Sequence, residues 1–168
     1  MSVQRAFTLV EILIVVLLLG ILAAIVLPGF SNVSATGRAS MLADDLRILR
    51  SQIQVYKSQH LDVPAGYPGG DPTASPTEAA FVDHMTKSSK PTGETADVGT
   101  PGFDYGPYFR EIPPNPVNGK ATVQVIDDGA AFPAAPDNSH GWIYQPESMT
   151  LKADCTGSDE KGVTYFEY

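Results

Sequence analysis

The chain opens with a hydrophobic block and then changes rhythm. From Ile12 to Leu27 every residue is Leu, Ile or Val except Gly20, Ala23 and Ala24. Counted from Phe7, the block approaches the ~20 residues that cross a bilayer, so a membrane helix is expected over residues 7–28. One carboxylate, Glu11, stands near its start. The aliphatic residues favour insertion by ~0.3 to 0.6 kcal/mol each, which together outweighs the ~3 kcal/mol typical of one acid in such a span. Glu11 is therefore tolerated, but an ionisable group in that position calls for a partner.

Pro28 closes the block; it removes a backbone donor and is expected to kink the helix there. Apolar positions then return at alternating steps of four and three, at Leu42, Leu46, Leu49, Ile53 and Tyr56, with Arg47, Arg50, Gln54 and Lys57 on other faces. This spacing predicts an amphipathic helix over about residues 31–59 whose apolar stripe is a seam against a sheet. If the two helical halves join, a spine from about Thr8 to Gln59 extends roughly 75 to 80 Å at ~1.5 Å per residue.

The rest of the chain alternates turn-formers with short β-branched runs. A Pro- and Gly-rich stretch, Val63 to Thr73, ends the helical pattern. Ser75-Pro76-Thr77-Glu78 has the form of a capping box, with Ser75 at the cap and Phe81, Val82 and Met85 on the apolar side of the short helix that follows. Residues 88–107 show no period and are expected to form a loop. Asn118-Gly119 predicts a sharp reversal into a strand over Lys120–Ile126. Gly141–Tyr144 and Met149–Ala153 predict two further strands joined at Pro146-Glu147-Ser148. The expected fold class is α+β, with a long N-terminal helix packed on a small antiparallel sheet.

Composition narrows the class of function. The chain has 168 residues and a formal net charge of −8, and since Arg5 and Glu11 cancel, the acidity lies beyond the hydrophobic block. An acidic head argues against nucleic acid as a partner, because phosphate binding needs a basic stripe. Cys155 is the single cysteine, so the head has no internal disulfide and rests on its core. His60, His84 and His140 are scattered, without zinc spacing, a phosphate-cradling loop or a nucleophile elbow, and each reads as a surface or turn residue. No catalytic residue is expected.

Three meanings compete for the N-terminal block. A cleaved secretory signal has a shorter apolar core and a more basic start than Arg5 alone provides. A plain membrane anchor explains the hydrophobicity and leaves Glu11 without a reason. The third explains both: Arg5-Ala6-Phe7-Thr8-Leu9-Val10-Glu11, with the aliphatic run and Pro28, resembles the N-terminal signal of type IV pilins and type II secretion pseudopilins. The resemblance implies a prepilin leader, residues 1–6, removed by a prepilin peptidase between Ala6 and Phe7, and N-methylation of Phe7. The residue before the cut is Ala6, where the family's usual residue is Gly. It further implies a helical homopolymer, also with related pilin subunits, in which Phe7, Thr8 and Glu11 are assembly residues. There the Glu11 carboxylate of one subunit meets the new Phe7 amine of its neighbour in apolar surroundings, which favours one stagger.

The same resemblance implies a single-pass inner-membrane protein with a cytoplasmic N-terminus, a periplasmic head over residues 29–168, and an assembly platform in the membrane. The passage Tyr108-Phe109-Arg110-Glu111-Ile112-Pro113-Pro114-Asn115-Pro116 and the later Gly141-Trp142-Ile143-Tyr144 are similar to the C-terminal part of major pseudopilins. This tilts the reading toward a structural subunit of a type II secretion pseudopilus. The alternatives are a type IV pilin or minor pilin for adhesion, motility or DNA uptake, and a solitary membrane-anchored binding module. Major pseudopilins often bind calcium in a C-terminal loop; Asp154, Asp159 and Glu160, with Asp127 and Asp128 upstream, are the hard-oxygen candidates here, against a plainer reading as solvated turn acids.

Overall fold

The computed structural model describes residues 9–168, the side chains of residues 23–35 excepted. Helix α1 runs over Leu9–Gln59. The chain divides after Gly37 into two compact units.

In the second unit the predicted stripe is the core. Leu42, Leu46, Leu49, Ile53 and Tyr56 are each at most 1% exposed, and at roughly 1.5 to 3 kcal/mol per large apolar side chain they are the main stabilising face of the helix. Arg47 and Gln54 lie in solvent on the other faces, and Arg50 reaches from its own face to the carbonyls of Leu151 and Tyr168. The helix stops at a local cap: the His60 ring bonds back to the Tyr56 carbonyl at 2.7 Å, and Leu61 and Asp62 turn into the left-handed region at φ 54° and 66°. The cap satisfies a carbonyl that the helix end would otherwise orphan.

Residues 63–77 carry a short 3-10 turn at Pro68–Gly70 and lead into α2, Glu78–Thr86. The cap of α2 is Thr77, whose hydroxyl accepts the Ala80 N–H at 3.1 Å, and not Ser75 as expected. Pro76 disfavours a helical residue before it, and Thr77 itself is held extended, φ −137° and ψ 153°, by donating its N–H to the Gly66 carbonyl. Helical geometry therefore starts two residues late.

The stretch expected as a loop contains a hairpin. Strands β1, Ser88–Ser89, and β2, Thr95–Ala96, pair antiparallel, and a bridge ties Ser89 to Tyr105. Two residues per strand leave no period to read in the sequence. The hairpin packs its backbone against the 3-10 turn so closely that a Cβ on Gly93, φ +89°, would lie 2.5 Å from the Gly70 Cα. Only glycine fits there.

A second sheet orders β3, Val123–Val125, β4, Trp142–Gln145, and β5, Thr150–Ala153, side by side with β4 in the centre. All three expected strands form, but the sheet is mixed: β4 and β5 are antiparallel across the Pro146–Ser148 turn, whereas β3 and β4 are parallel. The parallel pairing has a topological cause. Residues 126–141 supply a connection of more than a dozen residues, the length a parallel return requires. Before β3, the Asn118-Gly119 reversal forms as predicted, closed by the Asn115 N–H on the Lys120 carbonyl at 2.9 Å.

Strand β4 is buried throughout and sorts its side chains by the period of two. Trp142 and Tyr144 join the α1 stripe, Phe81, Met85, Leu151 and Ala153 in the main cluster. Ile143 points to the other side, into a small cluster with Ile126 and Phe166. The Trp142 indole N–H finds its acceptor in the Pro113 carbonyl at 2.9 Å, which fixes the proline-rich passage over the sheet.

Candidate assembly surface

Helix α1 begins with a surface that is apolar on all sides. Among the described side chains from Leu9 to Leu22, every large hydrophobic one is exposed, from 49% at Val15 to 82% at Leu9. A helix hydrophobic all round belongs in a membrane or against partners. Glu11 lies in the first turn, where the positive end of the helix dipole favours an acid. Ala6, Phe7 and Thr8 lie outside the described residues, as do the side chains of Pro28 and the end of the expected span. Among the described residues no helix is long and apolar enough to cross a membrane. The helix runs through residue 28 without a break.

Two junctions in the head hold buried polar side chains that no local sequence pattern marks. His60 and His84, expected at the surface, are 1% and 2% exposed. Both stack on Tyr56, with ring centroids 3.8 Å and 4.9 Å away. His140 sits half-buried in a loop, as expected. Cys155 is buried, and burial pushes its thiol up, so it packs as a small apolar residue.

The second junction is Asp154. This fully buried residue accepts the N–H groups of Asp137, Asn138 and His140 at 2.8, 3.1 and 2.7 Å and the Ser139 hydroxyl at 3.3 Å. It organises the end of the 126–141 connection before β4. Asn118 joins in, donating to the carbonyls of both His140 and Asp154 at 2.8 Å. The fixed offsets of this network cross elements distant in sequence, so no local pattern announces it.

The N-terminus also matches a family model, the prokaryotic N-terminal methylation motif, over residues 1–27. The chain carries a prepilin-type N-terminus on a pilin-like fold. It is similar to the type II secretion system core protein G of Dickeya chrysanthemi, 27% identical over 92% of this chain and 86% of that protein. The corresponding protein of Klebsiella michiganensis is 29% identical over 69% of this chain and 70% of its own length. A type IV major fimbrial protein FimA of Dichelobacter nodosus is 40% identical, over 32% of this chain and 34% of its own. No solved structure gives a significant match.

The carboxylates named as calcium candidates take protein donors. Asp154 has its carboxylate surrounded by N–H and O–H donors, the opposite of a cation's requirement. Asp159 accepts the N–H groups of Lys161 and Val163 and the Tyr168 hydroxyl, at 2.8, 2.9 and 2.9 Å. Asp128 receives the Tyr67 hydroxyl at 2.9 Å. Among the described residues no three His, Cys, Asp or Glu side chains converge on a point, Glu160 and Asp127 included. Asp128, Asp154 and Asp159 hold loop segments of the head.

Proposed function

We propose that the chain is a structural subunit of a type II secretion pseudopilus. The likeness to core protein G along nearly the whole chain carries this reading. The likeness to the fimbrial protein is confined to about a third of either chain, and the N-terminal methylation motif is common ground for both readings. A type IV pilin is the second reading.

In this proposal a prepilin peptidase cuts between Ala6 and Phe7, and the new Phe7 amine is methylated. Residues 7–28 anchor the precursor in the inner membrane, with the head, residues 29–168, in the periplasm, and an assembly platform draws the subunit into the fibre. The exposed apolar residues from Leu9 to Leu22 then exchange lipid for neighbouring helices. The Glu11 carboxylate meets the amine of the next Phe7, and Pro28 gives the helix room to bend on that transfer. The work of the subunit is mechanical, with no catalytic step.

Mass spectrometry of the N-terminal peptide from native membranes tests the processing. A methylated Phe7 is expected; a chain that still starts at Met1 overturns the proposal. Deleting the gene separates the two filament readings, with loss of protein secretion expected for a pseudopilin and loss of surface filaments for a pilin.

A further inference from the structure

We propose that the His60–Tyr56–His84 stack is an acid-operated latch, whose opening releases the β1–β2 hairpin and the 63–70 segment from α2 while the β3–β4–β5 sheet stays folded. The partners of the two rings dictate their protonation. At His84, Nδ1 stands 3.2 Å from the Gly66 N–H and Nε2 3.1 Å from the Gly93 carbonyl. An amide N–H only donates and a carbonyl only accepts, so His84 is neutral with its proton on Nε2. A second proton would set an N–H against the Gly66 N–H in a buried site.

His60 is built differently. Its Nδ1 donates to the Tyr56 carbonyl at 2.7 Å, and its Nε2 meets the Ser89 hydroxyl at 2.8 Å. A hydroxyl turns to donate or accept, so this ring takes a proton without losing a bond, although burial pushes its imidazole below the ordinary value and the Tyr56 carbonyl only partly opposes that. The sensitive member of the pair is therefore His84, and it is also the one that ties two other segments to α2.

The surroundings give a proton no welcome. Burial is the main influence pushing the His84 imidazole down to about 4; the Gly93 carbonyl acts against it, the nearby His60 adds to it, and Asp83 opposes it. Asp83 is the nearest carboxylate on α2, and it pairs with Lys87 at 2.9 Å. From α1 the stack meets Tyr56, and from the 105–108 segment Tyr105 and Tyr108, whose rings lie 5.5 Å and 6.3 Å from His60. On the hairpin, Lys90 and Glu94 pair with each other. In the 63–70 segment the Tyr67 hydroxyl is directed to Asp128.

The sign follows from proton counting. A released histidine takes up its proton near pH 6.5, the latched His84 only near 4, so between these values the open form binds one more proton and acid favours opening. From pH 7.5 to pH 5 the opening equilibrium rises roughly thirty-fold. The effect is local because the ties that break end on one ring, while β4 and β5 remain joined by their own ladder.

Amide hydrogen exchange on the full-length protein in detergent micelles, corrected for intrinsic rates, reads this directly. Between pH 7.5 and pH 5, peptides covering 63–70 and 88–96 are expected to lose roughly thirty-fold in protection, and peptides covering 142–153 to keep theirs. His84→Gln should remove most of the difference, and His60→Gln, which removes a ring that burial also holds below its ordinary value, should leave the larger part of it. Equal loss in all peptides, or an undiminished loss in His84→Gln, overturns the latch. Should His84→Gln fail to fold, proton NMR of the wild-type histidines decides: a His84 that titrates near 6.5 with the hairpin amides still protected overturns it, and a depressed midpoint at which hairpin protection falls supports it.

Discussion

The Glu78 carboxylate accepts the Val123 N–H at 2.7 Å, on the side of β3 that faces no other strand. On the far side of the same sheet, the Arg50 guanidinium donates twice to the Leu151 carbonyl of β5, at 2.8 and 3.2 Å. Each edge of the three-stranded sheet is thus met by a charged side chain from a helix. An unpaired edge is a template for another chain's strand. In a subunit proposed to polymerise through its N-terminal helix, closing the edges keeps the sheet out of the contact.

Replacing Glu78 by Ala should therefore do two things. Loss of a hydrogen bond to a charged group is expected to cost about 1.5 to 3 kcal/mol in urea unfolding, and the freed β3 edge should raise self-association in light scattering. Glu78→Gln retains a carbonyl acceptor and should recover most of both. Unchanged stability in Glu78→Ala would show that the Val123 N–H finds another partner.

Arg50 reaches further than one edge, since it also donates to the Tyr168 carbonyl at 2.8 Å. Arg50→Lys keeps the charge but not the fork. It is expected to lose about 1 to 2 kcal/mol, close to the loss in Arg50→Ala, with limited proteolysis releasing the last residues in both. A lysine variant as stable as the wild type would mean that charge alone, and not the divided geometry, holds the segment.

Asp154→Ala removes the acceptor of three backbone N–H groups at once. At roughly 1 to 3 kcal/mol for each buried donor left unsatisfied, a loss of about 3 kcal/mol or more is expected. Asp154→Asn supplies one acceptor and should fall between. Because the carboxylate serves donors and not a cation, wild-type melting curves with calcium and with chelator should superimpose. A calcium-dependent rise in melting temperature would return Asp154 to the metal candidates.

The residues behind these predictions were unequally visible in the sequence. The α1 stripe and the core strand at Trp142–Tyr144 follow from local periodicity, which tertiary packing only reinforces. The parallel partner of β4 did not, because a parallel pair is set by a crossover whose path no local pattern records. Composition favours Ser75 as the cap of α2, and a tertiary bond to Gly66 puts Thr77 there instead. His60, His84 and Asp154 looked like surface residues because polar residues usually are. They are buried because groups that no local pattern connects to them, Gly66, Gly93, Ser89 and the amides of Asp137, Asn138 and His140, pair their polar atoms together with the local Tyr56 carbonyl. The assembly residues stand apart: the N-terminal motif was plain in the sequence, and its meaning lies in a contact between subunits.

That contact gives the last prediction. In the proposed fibre the Glu11 carboxylate and the Phe7 amine created by cleavage neutralise each other in apolar surroundings, where truncating one partner of a buried pair costs about 3 to 5 kcal/mol. Glu11→Leu removes the acid and leaves the amine uncompensated. Insertion should be unaffected or improved, since a carboxylate in such a span is itself unfavourable by ~3 kcal/mol. Membrane fractionation is therefore expected to show normal levels, while cysteine crosslinking along residues 8–27 should lose its ladder of multimers. Glu11→Asp keeps the charge on a shorter arm and should retain part of the ladder. A full ladder of normal register from Glu11→Leu would remove the charge pair from the assembly step.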